Sequence, residues 1–218
     1  MKAKKIILKI IAIVLALLYM VACSDLGGSR DVNNASLSGQ VLAEQVCSGC
    51  HQVTGESISS KYPKLAGQQK DYLIVQLSDF KSHQRKDQLG IKYMWGFTHL
   101  TTAQIDEIAT YFSEQVPMQG KGTDSEEMIA RGEKIFLWGK SEQGVIACTA
   151  CHGKNAQGRR EIPRLAGQHS DYIIKQIEVF TKTEQRPRGA VMKEVIHLLT
   201  LDEINAVAYY LASLNPKN

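Results

Sequence analysis

Apolar residues fall at helical spacing in two widely separated stretches of the chain. Ile105, Ile108, Ala109 and Phe112 lie on one helix face, and Ile204, Val207, Ala208 and Leu211 repeat the pattern. Each stretch opens with a capping box, Thr101-x-x-Gln104 and Thr200-x-x-Glu203, whose side chains satisfy amide donors of the first turn. Upstream of each, Tyr72, Gln76 and Phe80 recur as Tyr172, Gln176 and Phe180, stacked at i, i+4 and i+8 of another helix. No segment alternates polar and apolar residues for long enough to suggest a sheet. The pattern predicts an all-α fold.

The helical patterns belong to a longer repeat. CSGCH at 47–51 returns as CTACH at 148–152, and YPKLAGQQKDYLIVQLSDF at 62–80 returns as IPRLAGQHSDYIIKQIEVF at 162–180. LTTAQIDEIATYF at 100–112 returns as LTLDEINAVAYYL at 199–211. The chain therefore reads as two tandem domains, 36–116 and 125–218, with a linker at 117–124 inside the turn-rich stretch SEQVPMQGKGTD. A unit of roughly ninety residues buries little apolar surface, and with few aromatics each one calls for something extra in its core.

The first residues have a different character. A positive MKAKK precedes an apolar run from Ile10 to Ala22, short for a membrane span, and this predicts an export signal over 1–22. Met20-Val21-Ala22-Cys23 resembles a bacterial lipobox, with methionine where leucine is usual, so Cys23 is the expected lipidation site. Ordinary cleavage elsewhere and an uncleaved anchor are the alternatives. Residues 23–35 then read as a flexible tether.

Composition adds one exclusion. The chain is 44% apolar and 22% charged, as soluble globular proteins are. Its net charge of +4 comes from Lys2, Lys4, Lys5 and Lys9 within the signal, so the remainder is balanced and carries no basic patch for nucleic acid.

Four of the five cysteines sit in the two Cys-x-x-Cys-His motifs. Thiols at i and i+3 lie on one side of a helical turn, where they reach the two vinyl groups of a haem, and His at i+4 projects under the ring. Cys47, Cys50 and His51 meet this demand, as do Cys148, Cys151 and His152. A zinc knuckle would have to close about a hundred residues between the pairs, and a redox pair needs no adjacent histidine. The expected cofactors are two covalently bound haem c.

The sixth iron ligand should lie downstream in both repeats, before the terminal helix. Met94 follows His51 by 43 residues and Met192 follows His152 by 40, while Met118 and Met128 have no counterparts and read as filler or surface. His99 and His197 share the same loops and stand as the bis-histidine alternative. His83 and His169 are expected to face solvent. Pro63 and Pro163 follow the ligating histidines by 12 and 11 residues, and their carbonyls can accept the other imidazole N–H, with a plain turn proline as the alternative.

With these residues in hand, the chain resembles the dihaem cytochrome c4 family over residues 37–214. The resemblance rests on both haem motifs, the paired P-[KR]-L-A-G-Q segments, the helix opening D-Y-[IL], and the methionine before a capped terminal helix. It implies two cytochrome c folds packed face to face, with the haem propionate edges near the domain interface. By position, Tyr72, Tyr172, Arg85 and Arg186 are the implied propionate contacts. One departure is an insertion in the second domain, LWGKSEQGVIA, between Gly132 and Cys148, where the first domain has only eight residues from Gly39 to Cys47. A lipidated member is also less usual than a freely exported one.

The function expected is outer-sphere electron transfer in the periplasm, with redox protein partners, no small-molecule substrate and no catalysis. Methionine ligation raises a haem's potential relative to bis-histidine. The resemblance implies delivery to a haem-copper terminal oxidase. Two rivals stand beside it: an electron-accepting dihaem subunit of a periplasmic dehydrogenase acting on a sulfur compound, and a dihaem peroxidase, which would need an open iron.

Overall fold

The structure, a computed structural model, describes residues 30–120, 125–182 and 184–216, together with Lys9 and Ile11. The expected signal over 1–22, Cys23, and the linker residues 121–124 therefore lie outside the described residues, apart from Lys9 and Ile11. Among the described residues no helix is long and apolar enough to cross a membrane.

The described chain is helical, with two isolated β-bridges and no extended strand. The first half holds α1 (Gly39–Leu42), a π-helical turn (Ala43–Cys47), α2 (Ser48–His51), α3 (Lys70–Lys81), α4 (Gln88–Met94) and α5 (Thr102–Ser113). The second holds α6 (Glu126–Trp138), α7 (Thr149–His152), α8 (Ser170–Phe180), α9 (Ala190–Ile196) and α10 (Leu201–Ser213).

Both expected capping boxes form. The Thr101 hydroxyl accepts from Gln104 N at 3.1 Å while Gln104 Oε1 accepts from Thr101 N at 2.9 Å, and Thr200 with Glu203 repeats this at 3.3 and 3.0 Å. The apolar faces they set up then pack. Leu42, Ile105, Ile108 and Phe112 anchor the first core, and Ile135, Phe136, Val207 and Leu211 the second. Full burial of such a side chain contributes about 1.5–3 kcal/mol.

In each half the entry helix crosses the terminal helix at a glycine. A Cβ on Gly39 would lie 2.5 Å from Gln104 O, and one on Gly132 only 2.0 Å from Ala206 O. Backbones this close admit no side chain.

One expectation differs from what forms. The loops expected before the terminal helices contain short helices, α4 and α9. The Asp87 carboxylate starts α4 by accepting from Gly90 N at 3.0 Å, and a 3₁₀ turn at Pro187–Gly189 leads into α9. The insertion closes on itself through the Lys140–Val145 bridge, and Lys140 Nζ donates to Glu203 Oε1 at 2.6 Å, tying it to the start of α10.

Candidate functional site

The Cys-x-x-Cys-His motifs occupy helical turns, as their spacing demands. α2 stops directly after His51, where Gln52 adopts a left-handed φ of 64°, and α7 stops after His152 at Gly153 with φ 79°. The chain thus leaves the turn at once, and the imidazole ends the motif facing inward. His51 and His152 are buried, 8% and 7% exposed.

Each ring is fixed by a single bond. His51 Nδ1 lies 2.9 Å from the carbonyl oxygen of Pro63, and His152 Nδ1 lies 3.1 Å from that of Pro163. A carbonyl only accepts, so Nδ1 carries the proton and Nε2 is left with its lone pair for a metal. Burial holds both imidazoles below their ordinary pKa, against the opposing pull of the proline carbonyls, and so keeps them neutral as a ligand must be.

None of the four motif cysteines is in a disulfide. Burial pushes the Cys47 thiol up to about 12 and that of Cys148 to about 11, so neither is a thiolate at neutral pH. This donor set, two thiols and a neutral oriented imidazole on one turn, fits thioether attachment and iron ligation. Among the described residues no three or more His, Cys, Asp or Glu side chains gather as a zinc site would need.

The two methionines sit on corresponding short helices, α4 and α9. Met94 ends α4 beside Tyr93, whose ring packs edge-on against Tyr62 at 5.3 Å, and Tyr62 packs in turn on His51 at 6.2 Å. Met192 on α9 packs against the second core, as Cys148 does. The alternative ligands His99 and His197 are exposed, and His197 Nδ1 is engaged with Glu194 O at 2.8 Å.

Tyr72, Arg85, Tyr172 and Arg186 form one cluster where the halves meet. Arg85 donates to Asp87 Oδ1 at 2.7 Å, to Gln76 at 2.9 Å and across to Gln176 at 3.0 Å. Arg186 donates to Gln176, and across to Tyr72 Oη at 2.9 Å and Gln76 at 2.8 Å. The two guanidinium groups lie 4.5 Å over the rings of Phe80 and Phe180. The i, i+4, i+8 stripes of α3 and α8 therefore face this shared cluster.

Burial alone would raise the Asp87 carboxyl, but the adjacent Arg85 holds it below the usual range, so Asp87 is ionised. Two buried arginines thus share a single carboxylate within the cluster. The surplus positive charge suits anionic groups such as propionates.

Several site residues were not singled out from the sequence. Gln68 and Gln168, the last residues of the L-A-G-Q segments, reach across the interface, as do Gln69 and His169. Gln69 Nε2 donates to Gln157 O at 2.8 Å, and in the mirror position His169 Nε2 lies 2.8 Å from Ser57 O. His169 is thus half-buried and bonded across the interface, contrary to the expectation that it faces solvent. His83 is exposed as expected, its ring 4.2 Å from that of Trp95. The signal for these residues was available, because a motif repeated for packing within a domain need not keep a polar glutamine.

Two helical halves, each with a haem-attachment turn and a fixed histidine, define a dihaem c-type cytochrome. The cytochrome c family model matches twice, over residues 36–115 and 129–215. A cytochrome c4 of Thiocapsa roseopersicina is 34% identical over 183 residues, covering 82% of this chain and 92% of that protein. The solved cytochrome c4 of Acidithiobacillus ferrooxidans superposes with a TM-score of 0.71 at 38% identity, over 77% of this chain and 98% of its own. A thiosulfate dehydrogenase electron acceptor of Thiomonas intermedia is 34% identical over 174 residues, 77% of each chain.

The chain belongs to the cytochrome c family, as a dihaem member of the cytochrome c4 type. It is an electron carrier and not an enzyme, and it holds two covalently bound haem c through its Cys-x-x-Cys motifs.

Proposed function

We propose that this cytochrome carries electrons on the periplasmic side of the cell, between an upstream donor and a haem-copper terminal oxidase. The observation that carries the reading is the matched pair of buried histidines, each with Nδ1 tied to a proline carbonyl and Nε2 left for iron. When bound, each haem supplies a one-electron ferric/ferrous couple.

The chain's residues do the rest. Cys47 and Cys50 hold one haem by thioethers, and Cys148 and Cys151 the other. His51 and Met94 would hold one iron, and His152 and Met192 the other, which would leave peroxide and oxygen no place on the metal. Pro63 and Pro163 orient the imidazoles, and Tyr72, Tyr172, Arg85 and Arg186 receive propionates at the interface. Each haem brings two propionates, so a chain of balanced charge becomes acidic when loaded, which suits weak, salt-dependent docking. Lipidation at Cys23 would hold the molecule to a membrane through its tether.

An absorption spectrum with redox titration tests the ligands. It should show two c-type haems per chain and a weak methionine-to-iron charge-transfer band at the red end of the oxidised spectrum. Leucine at Met94 or Met192 should abolish that haem's share of the band and lower its potential; an unchanged band would refute the assignment. A Cys23→Ser variant recovered soluble from the periplasm, against a membrane-bound parent, tests the anchor.

Similarity to thiosulfate dehydrogenase electron acceptors supports a second reading, in which the donor is a dehydrogenase oxidising a sulfur compound. Rapid reduction by such a dehydrogenase, with co-purification of the two, would favour it.

A further inference from the structure

We propose that Gln168 and Gln68 are positioning residues for the axial histidine of the opposite domain, so that each domain sets the potential of its neighbour's haem. The proposal rests on His51 and His152 being axial ligands. The geometry consists of two mirror-related chains of bonds across the interface. His51 Nδ1 donates to Pro63 O at 2.9 Å, and the other end of that same peptide group, Lys64 N–H, donates to Gln168 Oε1 at 2.9 Å. His152 Nδ1 donates to Pro163 O at 3.1 Å, and Arg164 N–H donates to Gln68 Oε1 at 2.7 Å.

Each glutamine also closes the clamp from its other atom. Gln168 Nε2 donates to Lys64 O and Gln68 Nε2 to Arg164 O, both at 3.0 Å. Each side-chain amide therefore pairs with a backbone residue of the other domain as a strand would. The four residues are 3–7% exposed, so water does not substitute for a missing partner.

The chemistry follows from one peptide group serving both bonds. An acceptor on Lys64 N–H draws its proton away and leaves more negative charge on the Pro63 oxygen, since hydrogen bonds in series polarise one another. A more negative oxygen pulls harder on the His51 Nδ1 proton and makes the imidazole a stronger donor to iron. A stronger donor favours the ferric state and lowers the potential. The amide of Gln168 thus acts on the first domain's haem, and that of Gln68 on the second's.

Linkage makes the effect reciprocal: if the clamp favours ferric iron, ferric iron tightens the clamp. Oxidation should then strengthen docking of the two domains on each other.

The test uses the holoprotein with near-isosteric Gln168→Met and Gln68→Met variants, each haem followed separately by the NMR shifts of its methyl groups during redox titration. Gln168→Met should raise the potential of the first domain's haem and leave the second nearly unmoved. Gln68→Met should do the reverse. Equal shifts in both haems, a shift confined to the mutated domain, or none would overturn the coupling while leaving the ligand reading intact. If the unaltered protein lacks histidine-ligated haems by spectroscopy, the ligand reading and the coupling fall together. A second measurement needs no variant: the amide protons of Lys64 and Arg164 should exchange more slowly in the oxidised than in the reduced protein. Equal exchange rates would overturn the proposal.

Discussion

Residue 169 is histidine where its mirror counterpart, residue 69, is glutamine, and the two make the same bond to a backbone carbonyl across the interface. The histidine adds a titration. Burial holds its pKa below the ordinary value, outweighing the Ser57 carbonyl that favours the charged form, and Lys64 acts in the same direction as burial against Glu56 and Asp171. Its neutral form is therefore the one that suits the folded state. Its contribution to stability is whole above the unfolded pKa of about 6.5 and is lost as pH falls through the lower folded value. His169→Gln should keep the bond and remove this part of the acid sensitivity, measured as a smaller loss of melting temperature between neutral and mildly acid pH. Glycine 132 sets a different limit. Gly132→Ala forces a Cβ against the Ala206 backbone, and overpacking of this kind costs about 1–3 kcal/mol or more. Thermal unfolding should report it as a lower melting temperature for the whole molecule.

At the scale of elements, the terminal helices are the most locally determined part of the fold. Their capping boxes and apolar faces were legible because both depend only on residues within one or two turns. Thr101→Ala should cost about 1 kcal/mol through the lost cap, by chemical denaturation. Thr200→Ala should cost a similar amount or more, because Glu203 caps α10 and also receives Lys140 from the insertion. The bond from Lys140 comes first in holding the Glu203 carboxyl below its usual pKa, so acid should release the insertion as well as the cap. The stripes of α3 and α8 were visible as patterns, yet their purpose was not. Spacing says that Tyr72, Gln76 and Phe80 share a face; it does not say that the face meets the arginines of both domains.

At the scale of the molecule, the halves are joined by polar groups that each domain alone would leave unpaired. Arg164 is 4% exposed and donates to the carbonyls of Ala66 and Gly67 across the interface and to Ala166 of its own half. Burial brings its guanidinium down to about 10, against the pull of Glu56, so it remains charged at neutral pH. Arg164→Ala leaves those acceptors buried without donors, at about 1–3 kcal/mol for each one that water cannot reach. Calorimetry should then show two separate unfolding transitions where the parent shows one, with both haems retained. The segment after α5 is fastened as well: Lys64 Nζ donates to Gln119 O at 3.1 Å, and Gln119 Nε2 donates to Ser213 O at 2.5 Å. Residues 117–120 of the expected linker are thus tied to both halves by hydrogen bonds, with Met118 and Gln119 exposed.

The haem motifs, the repeat and the all-helical fold were determined by the sequence alone, because each is a matter of spacing along a few turns. Cys47, Cys50 and His51 can meet one haem in any fold that makes them a helical turn. Even the Pro63 and Pro163 bonds were foreseeable, since a buried ligating imidazole needs an acceptor and the repeat supplied one. Only the tertiary structure decided what the repeated glutamines and arginines do. Gln68 and Gln168 bond to residues about a hundred positions away, and that distance is closed by packing two domains, which no local pattern encodes. A side chain whose partner lies in the other copy of a repeat looks, within its own copy, like an unexplained polar residue.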